Sequence, residues 1–113
     1  MTTLFEKIIN GDLPCEKVFE NDRIIAFKDI FPKAPVHILI VTKKVIPNLQ
    51  SMKEEDLPLI GEIVKVAQQL AQEFGLEEEG YRLLTNNGNH AGQVIHHLHF
   101  HLLGGGPLGR MVG

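Results

Sequence analysis

Four imidazoles fall within six positions of the stretch IHHLHFHLLGG (95–105): His96, His97, His99 and His101. Imidazole is the side chain that exchanges a proton, a metal or a phosphoryl group near neutral pH, so this density points to a metal site or to catalysis. Side chains alternate between the two faces of a strand. Alternation places His97, His99 and His101 on one face, and His96, Leu98, Phe100 and Leu102 on the other.

A metal is poorly served by this strand alone. Residues two apart on a strand are separated by ~6.5–7 Å, and the outer pair of the trio by ~13 Å. Metal–nitrogen bonds are only ~2 Å long. His37, in VHILIV (36–41), could add a ligand if it neighbours the same face. The competing chemistry is nucleophilic: a neutral imidazole attacks phosphorus and forms a labile phosphoramidate, which splits one displacement into two. That role requires the other ring nitrogen to be anchored, and donors to be near for the phosphate oxygens. His99, central in the trio, suits it. Gly88 and Gly92 would let backbone N–H groups approach an anion, and Asn86 and Gln93 add neutral donors. Burying three rings for structure alone would demand as many satisfied hydrogen bonds, so the trio is read as functional and His96 as a bystander.

The elements that position these residues form an α+β pattern. Thr3 and Glu6 have capping-box spacing ahead of Leu4, Phe5, Ile8 and Ile9, and Gly11 stops a short N-terminal helix. KVFE (17–20) and RIIAFKDI (23–30), joined at Asn21-Asp22, read as two strands and a tight turn. VHILIV is a third strand, apolar enough to lie centrally or to be covered on both faces. Leu57, Ile60, Val64, Ala67, Leu70 or Ala71, and Phe74 recur at helical steps before Gly75. Pro58 fits only the first turn, so this one long helix begins near Asp56. Ser51 and Glu54 repeat the capping-box spacing just upstream. YRLLTN (81–86) and IHHLHFHLL (95–103) complete five strands. Successive strands favour antiparallel pairing, which predicts a five-stranded antiparallel sheet with the helices on one face.

At 113 residues the chain (1–113) is a single domain. A hydrophobic fraction of 43% with 22% charged residues is that of a soluble globule. The net charge of −3 argues against a nucleic-acid-coating surface. No apolar run reaches the ~18 residues of a membrane span, and the N-terminus lacks the pattern of a signal peptide. The single cysteine, Cys15, excludes an internal disulfide and any multi-cysteine zinc site. Together these features predict a cytoplasmic protein.

The segment His97-Leu98-His99-Phe100-His101-Leu102-Leu103 resembles the signature of the histidine triad family, in which three histidines alternate with apolar residues. FEKIINGDLP (5–14), AFKDIFPKAPVHILIVTKK (26–44), GYRLLTNNGNHAGQ (80–93) and HLLGGGPLG (101–109) are similar to its Hint branch, especially the bacterial members. The resemblance implies a HIT-like fold and a homodimer that joins two five-stranded sheets into one of ten. It also implies hydrolysis of purine nucleoside 5′-monophosphoramidates to AMP or GMP and an amine; no metal or other cofactor is expected, since no dense carboxylate set accompanies the histidine trio. By this resemblance His99 is the nucleophile, His101 and His97 contact phosphate and organise the network, and His37 completes the cluster. Phe27, Lys28, Asp29 and Ile30 fall where the family wraps base and ribose; Leu13 and Ile30 would sandwich the base, and Asp29 would accept from ribose hydroxyls. Asn86, Gly92 and Gln93 match the phosphate-side loop.

Two departures stand out. Val94 occupies a position where many such proteins carry a serine that helps the leaving amine. The chain also ends at RMVG (110–113), without the longer tail of some relatives. Three other readings compete: a nucleotide-binding scaffold with weak catalysis, a dinucleoside polyphosphate hydrolase, and a metal-binding protein.

Overall fold

The computed structural model of the protein describes residues 2–111; Val112 and Gly113, the last half of RMVG, lie outside the described residues. Five strands form one antiparallel sheet: β1 (Lys17–Glu20), β2 (Ile24–Lys28), β3 (Val36–Thr42), β4 (Arg82–Leu84) and β5 (His99–Gly104). Their order across the sheet is β1-β2-β3-β5-β4, with every pair antiparallel. The β1–β2 turn is held by Asn21, whose side-chain oxygen accepts from the backbone N–H of Arg23 and Ile24. β3 is central, and all of its residues after Val36 are buried, as its unbroken apolar run predicts.

The first helix, α1 (Leu4–Ile9), carries the predicted capping box. The Thr3 hydroxyl accepts from the N–H of Glu6, and the Glu6 carboxylate accepts from the N–H of Thr3. The long helix, α2 (Pro58–Glu73), starts with Pro58 in its first turn. A single 3-10 turn (Glu54–Asp56) precedes it. Ser51 does not cap that turn; the Asp56 carboxylate accepts from the N–H of Lys53, and Ser51 turns back to Asn48.

The helices do not share a face of the sheet. α2 buries Leu59, Ile63, Val66, Ala67, Leu70 and Ala71 against Ile24, Ala26, Ile38, Ile40, Leu98 and Leu102. α1 lies on the opposite face, where Phe5 joins Ile25, Phe27, Leu39 and Val41, the residues of alternate parity in the same strands. A central strand that is apolar on both sides needs two covers, and α1 supplies the second. The buried stripe of α2 also differs from the predicted frame: Leu57 and Val64 face outward, while Leu59, Ile63 and Val66 point in. Ala67, Leu70 and Ala71 fit both frames, which is why the periodicity misled. Each Leu or Ile fully buried along that stripe contributes about 1.5–3 kcal/mol.

Because α1 has only six residues, it covers part of its face and leaves the remainder open. The chemistry-bearing side chains lie in that opening.

Candidate active site

β3 and β5 run side by side with His37 opposite Leu103, Leu39 opposite His101 and Val41 opposite His99. Residues directly opposite each other point to the same face. His37, His99 and His101 therefore emerge on the α1 side, while Leu98, Phe100 and Leu102 pack toward α2. The strand begins at His99, four residues later than the predicted start at Ile95. Residues 95–97 instead form a bend, after which Leu98 enters the core while His97 is sealed on the other side. His96 is exposed.

The hydrogen bonds fix which ring nitrogen carries each proton, because a backbone carbonyl only accepts and a backbone N–H only donates. His97 is fully buried; its Nε2–H donates to the carbonyl of Thr42 at 2.6 Å. Its Nδ1 is then an acceptor, 3.4 Å from the Thr3 hydroxyl. His99 donates from Nδ1 to the carbonyl of His97 at 2.6 Å, leaving an unprotonated Nε2. His37 accepts at Nδ1 from the backbone N–H of Lys33 at 3.0 Å, so its proton sits on Nε2. That proton is directed at His101 Nδ1, 2.9 Å away. His101 accepts at Nδ1 and therefore presents Nε2–H.

The chain of rings thus ends in two unlike groups. His99 offers a lone pair and His101 a donor, with ring centroids 5.1 Å apart. Neither Nε2 has a partner among the described residues. Phe5 packs edge-on against His99, with centroids 4.9 Å apart, and also against His97 and Phe27.

Electrostatics keep these rings neutral. Burial lowers the affinity of His99 for a second proton, against the opposing pull of its hydrogen bond to the His97 carbonyl and of the Asp29 charge. His101 is pushed down to about 4, mainly by burial and then by the neighbouring His99 and His37. His37 is lowered by burial despite Asp29, whose Oδ2 lies 3.5 Å from its Nε2.

Asp29, His37 and His101 bring ligand-type atoms within 4.8 Å of one another, a spacing that a metal could use. The tautomers do not suit one. His37 Nε2 carries the proton donated to His101, so ligation there would require an imidazolate or loss of the Lys33 hydrogen bond. His97 and His99, the other members of the same-face trio, lie outside this cluster.

A cavity of about 180 Å³ opens over the two free nitrogens. It is lined by His99, His101, Asp29, Asn86, Gly92, Gln93 and Val94, all singled out in the sequence, with Phe5, Leu39 and Ile95, which were not. In the sequence Phe5 is one of the apolar residues spaced along the short N-terminal helix, and Leu39 and Ile95 fall on strands. The parity that places Leu39 beside His37 on β3 was available as a signal.

Gln93 is not a free donor. Its amide gives both protons to the carbonyls of Pro47 and Ile95 and accepts from the N–H of Gly88. It braces the loop built on Gly88 and Gly92, whose φ angles of 83° and 85° favour glycine. Asn86 has no side-chain partner among the described residues, and Val94 is 85% exposed at the rim.

The other expected nucleoside contacts are not gathered in the cavity. Phe27 is buried beneath Phe5, and Leu13 sits half-buried after α1. Lys28 turns to Glu16 and lies over Phe74. Ile30 is 78% exposed beside Phe31, in a loop where Asp29 Oδ1 accepts from the N–H of Phe31.

The alternating His97, His99 and His101, and the antiparallel sheet that holds them, are the features by which the chain resembles the histidine triad family. Residues 10–108 match the HIT domain, and the chain belongs to the HIT family. Among its relatives, the purine nucleoside phosphoramidase of Escherichia coli (strain K12) is 43% identical over 110 residues, spanning 97% of this chain and 92% of that protein. An uncharacterized HIT-like protein of Chlamydia muridarum is 53% identical over 109 residues, 96% of this chain and 86% of the relative. The solved structure of a HIT family hydrolase from Clostridium thermocellum superposes with a TM-score of 0.94 at 44% identity, covering 97% of this chain and 96% of the other.

Proposed function

We propose that this protein hydrolyses the P–N bond of purine nucleoside 5′-monophosphoramidates through a nucleotidyl-His99 intermediate. The observation that carries the proposal is the bare Nε2 of His99, held ready by the hydrogen bond from Nδ1 to the His97 carbonyl. The similarity to a purine nucleoside phosphoramidase supports the substrate class.

In the first step His99 Nε2 attacks phosphorus in line and forms a new P–N bond. The substrate P–N bond breaks, and its electron pair and one proton leave as the amine. The His97 carbonyl stabilises the positive charge that develops on the ring. His101 Nε2–H donates to a phosphate oxygen, and the backbone N–H groups of Val94 and Ile95, which have no partner among the described residues, are available to another. Neutral His101 would have to become an imidazolate to supply the leaving proton, and Val94 has no hydroxyl. The proton is therefore drawn from water at the open rim. In the second step water attacks phosphorus, releases a proton, and returns the lone pair to His99. Asp29, on the cavity wall, accepts from the ribose hydroxyls.

A homodimer is part of this reading. Its support is the free edge of β4, with half-exposed Tyr81 just before it, and the exposed Leu57 and Val64 at and along α2. An edge of this kind pairs readily with its copy.

The test is hydrolysis of adenosine and guanosine phosphoramidates carrying alkyl and aryl amines, alongside a dinucleoside polyphosphate, with and without EDTA. Release of nucleoside monophosphate and amine unaffected by EDTA is expected. Turnover of the polyphosphate alone, or loss of activity with EDTA, would contradict the proposal.

A further inference from the structure

The β2–β3 loop carries Pro32 and Pro35, and the one backbone N–H it gives to a ring comes from Lys33 between them. The Lys33 side chain is exposed and has no hydrogen-bond partner among the described residues. Its amide nonetheless stands at the head of the chain that runs from His37 to His101. A peptide N–H cannot accept, so it holds His37 Nδ1 as an acceptor for as long as the loop keeps its shape. Each ring then passes the constraint on: His37 Nε2–H donates, His101 Nδ1 accepts, and the His101 proton is left on Nε2.

We infer that the Lys33 backbone N–H is a positioning group. It sets the tautomers of His37 and His101, so that His101 turns an N–H rather than a lone pair toward the cavity, and it closes the Asp29–His37–His101 cluster to divalent metal. Without it, His37 is free to carry its proton on Nδ1. His37 Nε2 then becomes an acceptor, and His101 donates to it from Nδ1. His101 Nε2 is left as a lone pair, which repels a phosphate oxygen. Zinc can then displace the His101 donor and take the His37 Nε2 lone pair together with the Asp29 carboxylate, 3.5 Å away. The tautomer and metal parts stand on geometry alone, whereas the effect on turnover rests on the phosphoramidase reading.

The direct test is a long-range proton–nitrogen spectrum of the imidazoles in the full chain, assigned with single His variants. His37 and His101 are expected with the proton on Nε2, and His99 with it on Nδ1. A proton on Nδ1 of His37 overturns the inference without any variant. Two substitutions then separate the amide from the side chain. Lys33→Ala keeps the N–H and should keep the ring pattern. Lys33→Pro removes it and should move the His37 proton to Nδ1. In this variant added Zn²⁺ should shift the His37 and His101 resonances at concentrations that leave the unsubstituted protein unchanged. Its kcat on a nucleoside phosphoramidate should fall on the order of 10²-fold, the effect of losing one oxyanion donor. A folded Lys33→Pro protein with unaltered tautomers and no zinc response overturns the inference; if the variant does not fold, the spectrum of the unsubstituted chain decides. Expected tautomers with no phosphoramidate turnover would sink the functional reading and leave the inference standing.

Discussion

His99 is oriented by His97 through the backbone, not ring to ring: Nδ1–H of one residue meets the carbonyl oxygen of the other at 2.6 Å. The His97 ring is itself buried, tied to Thr42 of β3 and facing Thr3 at the start of α1. The first histidine of the trio thus fixes the peptide that fixes the second. This makes the reactivity of His99 depend on packing some distance from the cavity.

Phe5 is where that dependence is most exposed to test. Its ring wedges between His97, His99 and Phe27 from α1. Phe5→Ala should cost about 3–5 kcal/mol of stability, as large aromatic deletions in cores do. In the fraction that remains folded, kcat should fall more than KM rises, because His99 loses its lateral support. Denaturant melts and steady-state kinetics on the same preparation check both effects. Unchanged kcat would show that the His97 carbonyl suffices to hold the ring.

Acid should inactivate the protein at a pH below the ordinary histidine range. His99 must be unprotonated at Nε2 to attack, and burial lowers its proton affinity from the usual 6.5. The kcat profile should therefore be flat near neutrality, with its acid limb below 6.5. Stability follows the same sign. His101 ionises at about 4 in the folded state against 6.5 unfolded, so the unfolded chain binds more protons between those values. Stability is fully present above 6.5 and is lost progressively as pH falls toward about 4. Melting temperatures that stay level across this window would contradict the assignment of a neutral, buried His101.

Gln93 should behave as a brace. Gln93→Ala leaves the Gly88 N–H and the carbonyls of Pro47 and Ile95 without their partner. Each buried polar group stranded in this way costs about 1–3 kcal/mol. The expected result is a lower melting temperature and a broad loss of binding for nucleoside monophosphate. A protein of normal stability that specifically loses phosphate affinity would restore Gln93 as a ligand contact.

The proposed reaction takes its leaving-group proton from water, and the exposed rim position of Val94 is where that can be tested. A hydroxyl at this rim position would spare the reaction its reliance on bulk water. Val94→Ser should raise turnover most for alkylamine leaving groups, which need a full proton, and least for aryl amines. Equal gains across the series, measured as kcat on matched phosphoramidates, would place the residue outside proton delivery.

The fold was legible where one local rule governed it. The Thr3–Glu6 capping box, the Asn21 turn and the apolar run of β3 each formed as read. Alternation also separated Leu98 and Leu102 from His99 and His101, although the strand proper begins only at His99. Tertiary choices were less visible. Ala67, Leu70 and Ala71 fit two helical frames, and only the sheet beneath decides that Ile63 rather than Val64 turns inward. The placement of α1 on the face opposite α2 follows from the two-sided burial of β3, which the sequence left as one of two options. At the site, residue types pointed to His99 and His101. They did not show that Gln93 is fully engaged, or that Phe5 forms part of the cavity wall, because both depend on long-range packing.

The central claim is that His99 Nε2 becomes covalently nucleotidylated. Purified protein mixed with an adenosine phosphoramidate, quenched in base within the first turnover and digested, should yield by mass spectrometry an adenylyl group on the peptide bearing His99. The adduct should be absent from His99→Ala, whose turnover should fall by about 10⁴-fold or more, as loss of a nucleophile does. An adduct on His97 or His101, or full turnover by His99→Ala, would contradict the account.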